Sequence, residues 1–265
     1  MSDLALSARR AALKARLRGR ERVFGAWTSI GHPQITEIFT RAGVDFVGID
    51  VEHSTISQGE AQRIIAAAQA GGSLCLPRVA SHNGEAIRRM LDSGADGVIV
   101  PTVDTAEQVE ALVGFAKYPP VGRRGYGVAR AQGYGFDSAD YYAEWNETGS
   151  LIVQIESVTG VENADEICSH PAIDGVIVGP YDISGSLGIP GQIDHPLVRE
   201  AASKVVEACK RHGKACGTQL VDPDSANVAA ALDDGFTIVL LSSDVFLLWK
   251  WSERMAGIVT DSRKA

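Results

Sequence analysis

The sequence is poor in cysteine, and it contains no long apolar run. Its four cysteines, in 265 residues, include no C-x-x-C pair, and a chain of this length does not need disulfides to be stable. We therefore expect the cysteines to be reduced and partly buried. No segment approaches the roughly 20 consecutive apolar residues that a membrane-spanning helix needs. These absences predict a cytoplasmic protein without a membrane partner.

Positive charge is also scarce. The 25 lysines and arginines are outnumbered by 33 aspartates and glutamates, which gives a net charge of −8 and argues against a nucleic-acid partner. The basic N-terminal stretch, residues 1–22, lacks the apolar core and the small-residue cleavage site of a signal peptide. It predicts a leading helix instead.

Short apolar runs alternate with helical segments along the chain. The runs predict strands at residues 23–30, 45–53, 73–79, 95–103, 151–155, 175–181, 214–220 and 236–243. Helices are predicted at residues 33–42, 58–70, 84–91 and 105–117, between the fifth and sixth strands, and at residues 196–212, 225–234 and 245–259. This alternation across residues 1–265 predicts one α/β domain, a single (β/α)8 TIM barrel.

Two segments depart from the regular pattern. Residues 118–147 are rich in Gly, Tyr and Arg and too long for an ordinary connection, so they predict a functional loop or lid with short helical turns. Residues 245–265 carry apolar side chains around more of a helix than one barrel-facing stripe requires. This helix and tail predict a subunit contact. The alternative is that the N-terminal segment buries the helix.

Two acidic residues follow neighbouring predicted strands. Glu156 comes after the run LIVQI, and Asp182 after GVIVGPY. Because the C-terminal ends of barrel strands surround one opening, both carboxylates would face the same small volume. They would repel each other unless a proton or a cation lay between them. The pair predicts a divalent metal site, with an N-cap role for Asp182 as the alternative.

Other polar residues lie at the same ends of the strands. Gln154 and Glu156 are two residues apart, so both can point into the barrel opening. Arg78 lies within an otherwise apolar run, and its guanidinium predicts an anionic partner, either one of the strand-end acids or a substrate carboxylate. Ser242 and Ser243 end the eighth strand.

His53 is the histidine that lies among acids at a strand end. It follows Asp50 and Glu52, and with Asp50 or Asp92 as an orienting partner it is a candidate acid/base. No lysine falls in the opening, which disfavours a Schiff base. The loops after strands seven and eight lack the glycine-rich pattern of a barrel phosphate site.

Six motifs together resemble one family. IDVEH, LPRV, MLDSGADGVIVPTV, YPPVGRRGYG, VQIES and VGPYDISGSLG occur in this order, similar to the HpcH/HpaI family of class II, metal-dependent pyruvate aldolases. That group includes 4-hydroxy-2-oxoheptanedioate and 2-dehydro-3-deoxyglucarate aldolases. The resemblance spans roughly Gly25 to Leu248. It implies a lyase that reversibly cleaves a 4-hydroxy-2-oxo acid to pyruvate and an aldehyde through a metal-stabilised enolate.

The resemblance also implies roles for individual residues. Glu156 and Asp182 would bind the divalent metal, with Mg or Mn expected and Co or Zn compatible. Arg78 would face the keto oxygen, and His53, oriented by Asp92, would serve as or assist the acid/base. The pyruvate end would be held by Gln154, Gly179, Pro180, Tyr181 and Asp182, with Asp50 and Glu52 in support.

The family resemblance further implies a homo-oligomer. Members are typically hexamers, trimers of dimers, in which the C-terminal helix is exchanged between neighbours. This chain departs from close relatives at Tyr181, where they carry a small residue, and in the loop 126–135, which puts the aldehyde end of the pocket in doubt.

Three alternatives remain at this stage. A related carbon–carbon lyase of the citramalyl-CoA type would use the same metal site, and Arg123, Arg124 and Arg130 could form a basic entrance for the coenzyme. An enzyme that decarboxylates oxaloacetate would also share the site. A barrel that binds 2-oxo acids without catalysis is the third alternative, although a binding module gains little from a metal, an arginine and a histidine together.

Overall fold

The computed structural model describes residues 3–264, with side chains described from residue 6 onward. The parts of the predicted leading helix and C-terminal tail at residues 1, 2 and 265 lie outside the described residues. The strands are β1 (Val23–Thr28), β2 (Phe46–Ile49), β3 (Leu74–Cys75), β4 (Gly97–Val100), β5 (Ser150–Ile155), β6 (Gly175–Val178), β7 (Ala215–Leu220) and β8 (Ile238–Ser243). Each begins and ends within three residues of its predicted run, except β2 and β3, which both end four residues earlier than predicted.

The helices of the described chain alternate with these strands. They are α1 (Asp3–Arg18), α2 (Pro33–Thr40), α3 (Gln58–Ala70), α4 (Gly84–Asp92), α5 (Ala106–Ala116), α6 (Ser138–Thr148), α7 (Val158–Glu162), α8 (Ala164–Ser169), α9 (Pro180–Ser186), α10 (Pro196–Arg211), α11 (Ser225–Asp233) and α12 (Asp244–Lys264). A short 3-10 helix occupies Arg130–Gly135. The predicted helix at residues 58–70 has the observed bounds, because Ser57 and Glu60 form a capping box at its start.

The eight strands form one parallel sheet in the order β3-β2-β1-β8-β7-β6-β5-β4. The two ends of this order meet at Arg78, which bridges in parallel to both Asp50 and Ile99. Its N–H donates to Ile49 O at 2.7 Å, and the N–H of Val79 donates to Ile99 O at 3.0 Å. These bonds nearly close the sheet, so the predicted (β/α)8 barrel is confirmed.

Pro77 accounts for the shortness of β3. A proline has no N–H to contribute to a ladder, and β3 ends two residues before it. The backbone resumes pairing immediately afterwards at Arg78. The chain therefore places Arg78 at the closure point of the barrel, where its side chain can reach inward.

The strands separate two apolar layers. Alternate strand residues fill the barrel interior, among them Trp27, Phe46, Ile99, Ile152 and Leu240. The remaining strand residues face outward and pack against the helices in a second, larger layer. Because side chains alternate across each strand, the interior layer identifies which strand-end residues point into the opening.

The segment 118–147 is more regular than predicted. The expectation of short helical turns was wrong for its second half, where α6 forms an 11-residue helix. Tyr141 and Trp145 of α6 are buried and stack with their ring centroids 5.2 Å apart. The buried guanidinium of Arg124 lies 5.0 Å from the Trp145 ring. These tertiary contacts favour a continuous helix.

The C-terminal helix α12 is largely exposed. Its apolar side chains include Trp249 at 49% and Trp251 at 51% relative exposure. The N-terminal helix α1 packs against α6, so the alternative that the N-terminal segment buries α12 was wrong. Among the described residues, no helix has the length and apolarity needed to cross a bilayer.

Candidate active site

Glu156 lies directly after β5, inside the barrel opening. Its side chain is buried, with the residue 7% exposed. Oε1 accepts hydrogen bonds from the backbone N–H and the hydroxyl of Thr102, each 2.7 Å long. Oε2 accepts one from Gln154 Nε2 at 3.1 Å. The carboxylate is thus oriented by groups on β5 and on the loop after β4.

Asp182 faces Glu156 across Gly179. The N-cap of α9 is Gly179, and Asp182 lies in the first turn of that helix, so the N-cap alternative for Asp182 was wrong. A Cβ placed on Gly179 would lie 2.8 Å from Glu156 Oε2 and 3.6 Å from Asp182 Oδ2. The missing side chain of Gly179 therefore leaves a space that oxygens of both acids border.

The acids in this site affect each other. The pKa of Glu156 is raised, first by burial and also by the charge of Asp182, while the hydrogen bonds from Thr102 oppose the shift. The pKa of Glu52 is raised as well, mainly by burial, and Arg78 acts in the opposite direction. Concentrated, partly buried negative charge of this kind is stabilised by a proton or a cation.

Arg78 pairs with the acids that follow β2. Its Nη2 lies 2.8 Å from Asp50 Oδ2 and its Nε donates to Asp50 Oδ1 at 3.1 Å. The same Nε lies 3.2 Å from Glu52 Oε2, and the guanidinium carbon lies 5.1 Å from the centre of the Trp27 ring. The anionic partner predicted for Arg78 is therefore an acid pair in this structure, and these contacts fix its orientation.

Gln154 connects the arginine to the acid of β5. Its Oε1 accepts a hydrogen bond from Arg78 Nη1 at 3.4 Å, and its Nε2 donates to Glu156. The predicted shared orientation of Gln154 and Glu156 is confirmed. The amide links the positive and negative parts of the site into one network.

His53 and Asp92 are not brought together among the described residues. The His53 ring is exposed, with Nε2 lying 3.5 Å from Glu52 Oε2, and its backbone N–H donates to Asp50 Oδ1 at 3.1 Å. Asp92 instead accepts a hydrogen bond from Arg124 Nη2 at 2.7 Å. The Asp92 carboxylate therefore compensates a buried guanidinium in this chain, and the acids next to the His53 ring and backbone are Glu52 and Asp50.

The start of α9 borders the same opening. The N–H of Gly179 donates to Ile155 O at 3.2 Å and Pro180 has no N–H, so Tyr181 and Asp182 supply the first-turn N–H groups. The N–H of Gly179 is therefore already paired within the protein. The Tyr181 side chain is 54% exposed and stands at the rim.

A small cavity of about 90 Å³ lies next to these groups. It is lined by Trp27, Arg78, Gln154, Ile177, Val178, Gly179, Pro180, Tyr181, Asp182, Gln219, Val221, Leu240 and Phe246. Gln219 and Phe246 were missed from the sequence, although the alternation of Ala215, Gly217 and Gln219 along β7 is a signal that could have found the glutamine.

The remaining strand-end and basic residues lie outside this site. Ser242 donates to Val221 O at 2.7 Å, and Ser243 accepts from the N–H of Phe246 at 3.2 Å. Within the described chain, no lysine lines the cavity. The buried Lys14 and Lys117 both bond to Gly149 O, immediately before β5. They therefore lie at the opposite end of the barrel.

The residues present fit a hard divalent cation. Among the described residues, no group of three or more His, Cys, Asp or Glu side chains forms a candidate metal cluster, so protein ligation would come from Glu156 and Asp182. Magnesium is commonly held by one or two carboxylates while it keeps several waters. The space beside Gly179, bordered by oxygens of both acids, suits such an ion. The open positions would be filled by water or substrate.

The fold and the site together define a (β/α)8-barrel protein with an acidic site at the C-terminal ends of its strands. A family model described as HpcH/HpaI aldolase/citrate lyase matches residues 23–250. The chain belongs to the HpcH/HpaI aldolase/citrate lyase family, and the resemblance noted in its sequence is confirmed.

Relatives of similar length support this assignment. The hydroxypyruvate/pyruvate aldolase of Roseobacter denitrificans is 36% identical over 238 residues, which cover 89% of this chain and 92% of the relative. The 5-keto-4-deoxy-D-glucarate aldolase of Klebsiella pneumoniae is 34% identical over 243 residues, which cover 92% of this chain and 94% of the relative. A crystal structure of a HpcH/HpaI aldolase/citrate lyase family protein from Burkholderia cenocepacia matches with a TM-score of 0.88 and 31% identity over 94% of this chain and 99% of that chain.

Proposed function

We propose that this protein is a metal-dependent aldolase, a lyase that reversibly cleaves a 4-hydroxy-2-oxo acid into pyruvate and an aldehyde. The observation that carries the proposal is the convergence of Glu156 and Asp182 on the space beside Gly179, next to Arg78 and a cavity of about 90 Å³. A site of this size accepts a small 2-oxo acid. Aldolase activity in the two curated relatives supports the same reaction.

Glu156 and Asp182 are the proposed ligands of the divalent metal, with Mg or Mn expected and Co or Zn compatible with oxygen ligands. When bound, the metal supplies a Lewis acid that polarises the 2-oxo acid. Thr102 and Gln154 hold the Glu156 carboxylate in place. These hydrogen bonds come from the protein itself, and a carboxylate held in this way needs little reorganisation during catalysis.

Arg78 stabilises the negative charge that develops on the keto oxygen of the substrate. Asp50 and Glu52 hold its guanidinium, and Gln154 contacts its Nη1. Nη1 is the guanidinium nitrogen that donates to Gln154. A charge-assisted hydrogen bond from a fixed guanidinium strengthens as charge develops on the acceptor.

His53 is the proposed acid/base, and Glu52 is the acid that lies next to its ring. The ring Nε2 lies 3.5 Å from Glu52 Oε2, and that oxygen is buried without a hydrogen-bond partner in the described chain. A protonated His53 would supply one. The pair can therefore move a proton between the imidazole and the substrate.

A coenzyme A substrate receives less support from the structure. Of the three arginines that could form a basic entrance, Arg124 is buried against Asp92, and Arg130 bonds to Ser93 O and Gln69 Oε1. Arg123 remains at the surface, stacked on Phe115 at 5.1 Å. A single exposed arginine makes a weak binding site for a coenzyme with several phosphates.

We further propose that the protein is a homo-oligomer, a hexamer built as a trimer of dimers, in which α12 packs on a neighbouring subunit. The exposed apolar side chains of this helix include Leu247, Leu248, Trp249, Trp251, Met255, Ile258 and Val259. Exposed apolar surface of this extent marks an interaction site. The same surface supports exchange of the helix between subunits.

Exchange of the pyruvate methyl protons with deuterated water, followed by NMR, tests the catalytic proposal. Exchange should require added Mg²⁺ or Mn²⁺, stop with a chelator, and be lost in Glu156→Gln, which keeps the shape of the side chain but removes its charge. Exchange that survives complete chelation would overturn the metal-dependent mechanism. A metal-loaded protein that shows no exchange would favour a non-catalytic barrel or an acyl-CoA lyase.

A further inference from the structure

His82 lies in the loop between β3 and α4, next to the residues that begin the helix. Asn83 is the N-cap of α4, and its side chain accepts a hydrogen bond from the N–H of Glu85 at 2.7 Å. The hydroxyl of Ser81 accepts one from the N–H of Asn83 at 3.3 Å. Local bonds of this kind fix the backbone of a turn. The backbone that carries the imidazole of His82 is therefore held in place.

The imidazole of His82 contacts the chain that follows β4. Its Nε2 lies 2.7 Å from Pro101 O, and because a carbonyl oxygen only accepts hydrogen bonds, the ring proton lies on Nε2. Two residues earlier along β4, Ile99 O accepts a hydrogen bond from the N–H of Val79. After Val79 the chain turns away toward α4. At the buried Pro101, the imidazole takes the place of the next backbone donor.

The Pro101–Thr102 peptide connects this histidine to Glu156. In a trans peptide the C=O and the N–H point in opposite directions, so the N–H of Thr102 lies on the side away from His82. There it donates to Glu156 Oε1 at 2.7 Å. Two hydrogen bonds therefore run in series through one peptide group, from the imidazole to the carboxylate.

The backbone of Thr102 needs support in this position. Its φ angle is +52°, in the left-handed region that is unfavourable for a β-branched residue and that persists only where surrounding contacts hold it. Glu156 holds the N–H side of the peptide, and His82 holds the carbonyl side. A hydrogen bond to the carbonyl also polarises the peptide, which strengthens its N–H as a donor. Loss of the imidazole should therefore weaken the bond to Glu156.

We propose that His82 is a positioning residue, which orients the Glu156 carboxylate for the divalent metal through the Pro101–Thr102 peptide. The inference rests on the proposed function, in which Glu156 is a metal ligand, and it adds a residue that supports this ligand from another loop. The segment after β3 then supports both charged parts of the site, since it carries Arg78 and, four residues later, His82.

The test is a Mn²⁺ titration followed by electron paramagnetic resonance, on wild type and on variants of His82. His82→Gln places an amide N–H at about the distance of Nε2 from the backbone and should bind Mn²⁺ like wild type. His82→Met has a similar length without a donor, and the amide of His82→Asn is one methylene shorter. In these two variants the affinity should fall about threefold to tenfold, the effect of one neutral hydrogen bond. His212→Met, at a surface histidine beside Asp165, is the matched control and should bind like wild type.

Amide hydrogen exchange of the metal-free protein gives a second measurement, which does not depend on metal binding. In His82→Met and His82→Asn, the segment that contains Thr102 should exchange faster than in wild type, while β7 keeps its wild-type rate. Faster exchange across the whole chain, together with weaker Mn²⁺ binding in His82→Gln, would mean general destabilisation and would overturn the positioning role.

Wild-type Mn²⁺ affinity in both His82→Met and His82→Asn, or an equal loss of affinity in His82→Gln, would overturn the role of His82 while leaving the aldolase proposal intact. The comparison of His82→Gln with His82→Asn decides the question if His82→Met does not fold. Wild-type protein that binds no Mn²⁺, or Glu156→Gln that binds it as tightly as wild type, would overturn the proposed metal site and this inference together.

Discussion

Thr102 donates two hydrogen bonds to one oxygen of Glu156, from its backbone N–H and from its hydroxyl, each 2.7 Å long. Its φ angle is +52°, in the left-handed region that β-branched residues rarely adopt. This conformation places both donors on Oε1. The other oxygen, Oε2, accepts the hydrogen bond from Gln154 and borders the space beside Gly179.

Thr102→Val should therefore weaken divalent-metal binding by about 10- to 100-fold, the range found when a partner of a metal ligand is removed. Valine keeps the β-branched shape and the backbone N–H but removes the hydroxyl donor. The measurement is a titration with Mn²⁺ followed by calorimetry or electron paramagnetic resonance. Thr102→Ser retains the hydroxyl and should bind Mn²⁺ nearly as tightly as wild type. Equal Mn²⁺ affinities in Thr102→Val and wild type would contradict the proposed role of the hydroxyl.

Gly179→Ala should close the space between the two acids. The added Cβ would lie 2.7 Å from Glu156 Cβ and 2.8 Å from Oε2, closer than atoms pack without movement. We expect Mn²⁺ affinity to fall by about tenfold or more. Gly185→Ala, in the same helix and with nothing within 4 Å of its Cβ, is the matched control. Loss of affinity in the control as well would mean that α9 itself is disturbed.

Asp92→Asn should reduce stability and leave proton transfer intact. The Arg124 side chain is fully buried, and Asp92 Oδ1 lies 2.7 Å from its Nη2, so neutralising the acid leaves a buried charge without its counter-ion. The free energy of unfolding should fall by about 1–3 kcal/mol in urea titrations. If instead the stability is unchanged and the pH profile of proton exchange shifts, Asp92 acts on His53.

Lys117 should make stability depend on pH. Burial first, and then the nearby charge of Lys14, lower the pKa of Lys117 from 10.5 to about 7. Between these values the unfolded chain binds more protons than the folded chain, so the free energy of unfolding should rise as the pH increases from about 7 toward 10.5. In Lys117→Met this slope should be smaller, as urea unfolding at several pH values would show. Lys204→Met, at a lysine paired on the surface with Glu200, should keep the wild-type slope.

Trp251→Glu should shift the protein toward smaller assemblies. Trp251 is 51% exposed on α12, and a charge in an apolar interface is costly. Size-exclusion chromatography with light scattering gives the mass directly. Ser252→Glu adds the same charge to the adjacent position of the helix. An unchanged mass for Trp251→Glu would exclude this residue from the subunit contact.

Local sequence patterns were sufficient to predict much of this fold and part of its site. Apolar runs separated by capped helices predicted the strands and the barrel, because burial on both faces of a parallel strand requires such runs. Two-residue spacing placed Gln154 and Glu156 on one side of β5, and short motifs identified the family. Each of these predictions depends on residues that are close together in the chain.

Tertiary structure decided which distant groups meet. The pairing of Asp92 with Arg124, the place of Gln219 in the cavity wall and the continuity of α6 depend on contacts between segments tens of residues apart. Sequence spacing does not specify those contacts, because they follow from strand register and from the packing of helices on the barrel. The charged residues of the site could therefore be predicted from the sequence, whereas the closed barrel determines which group each of them contacts.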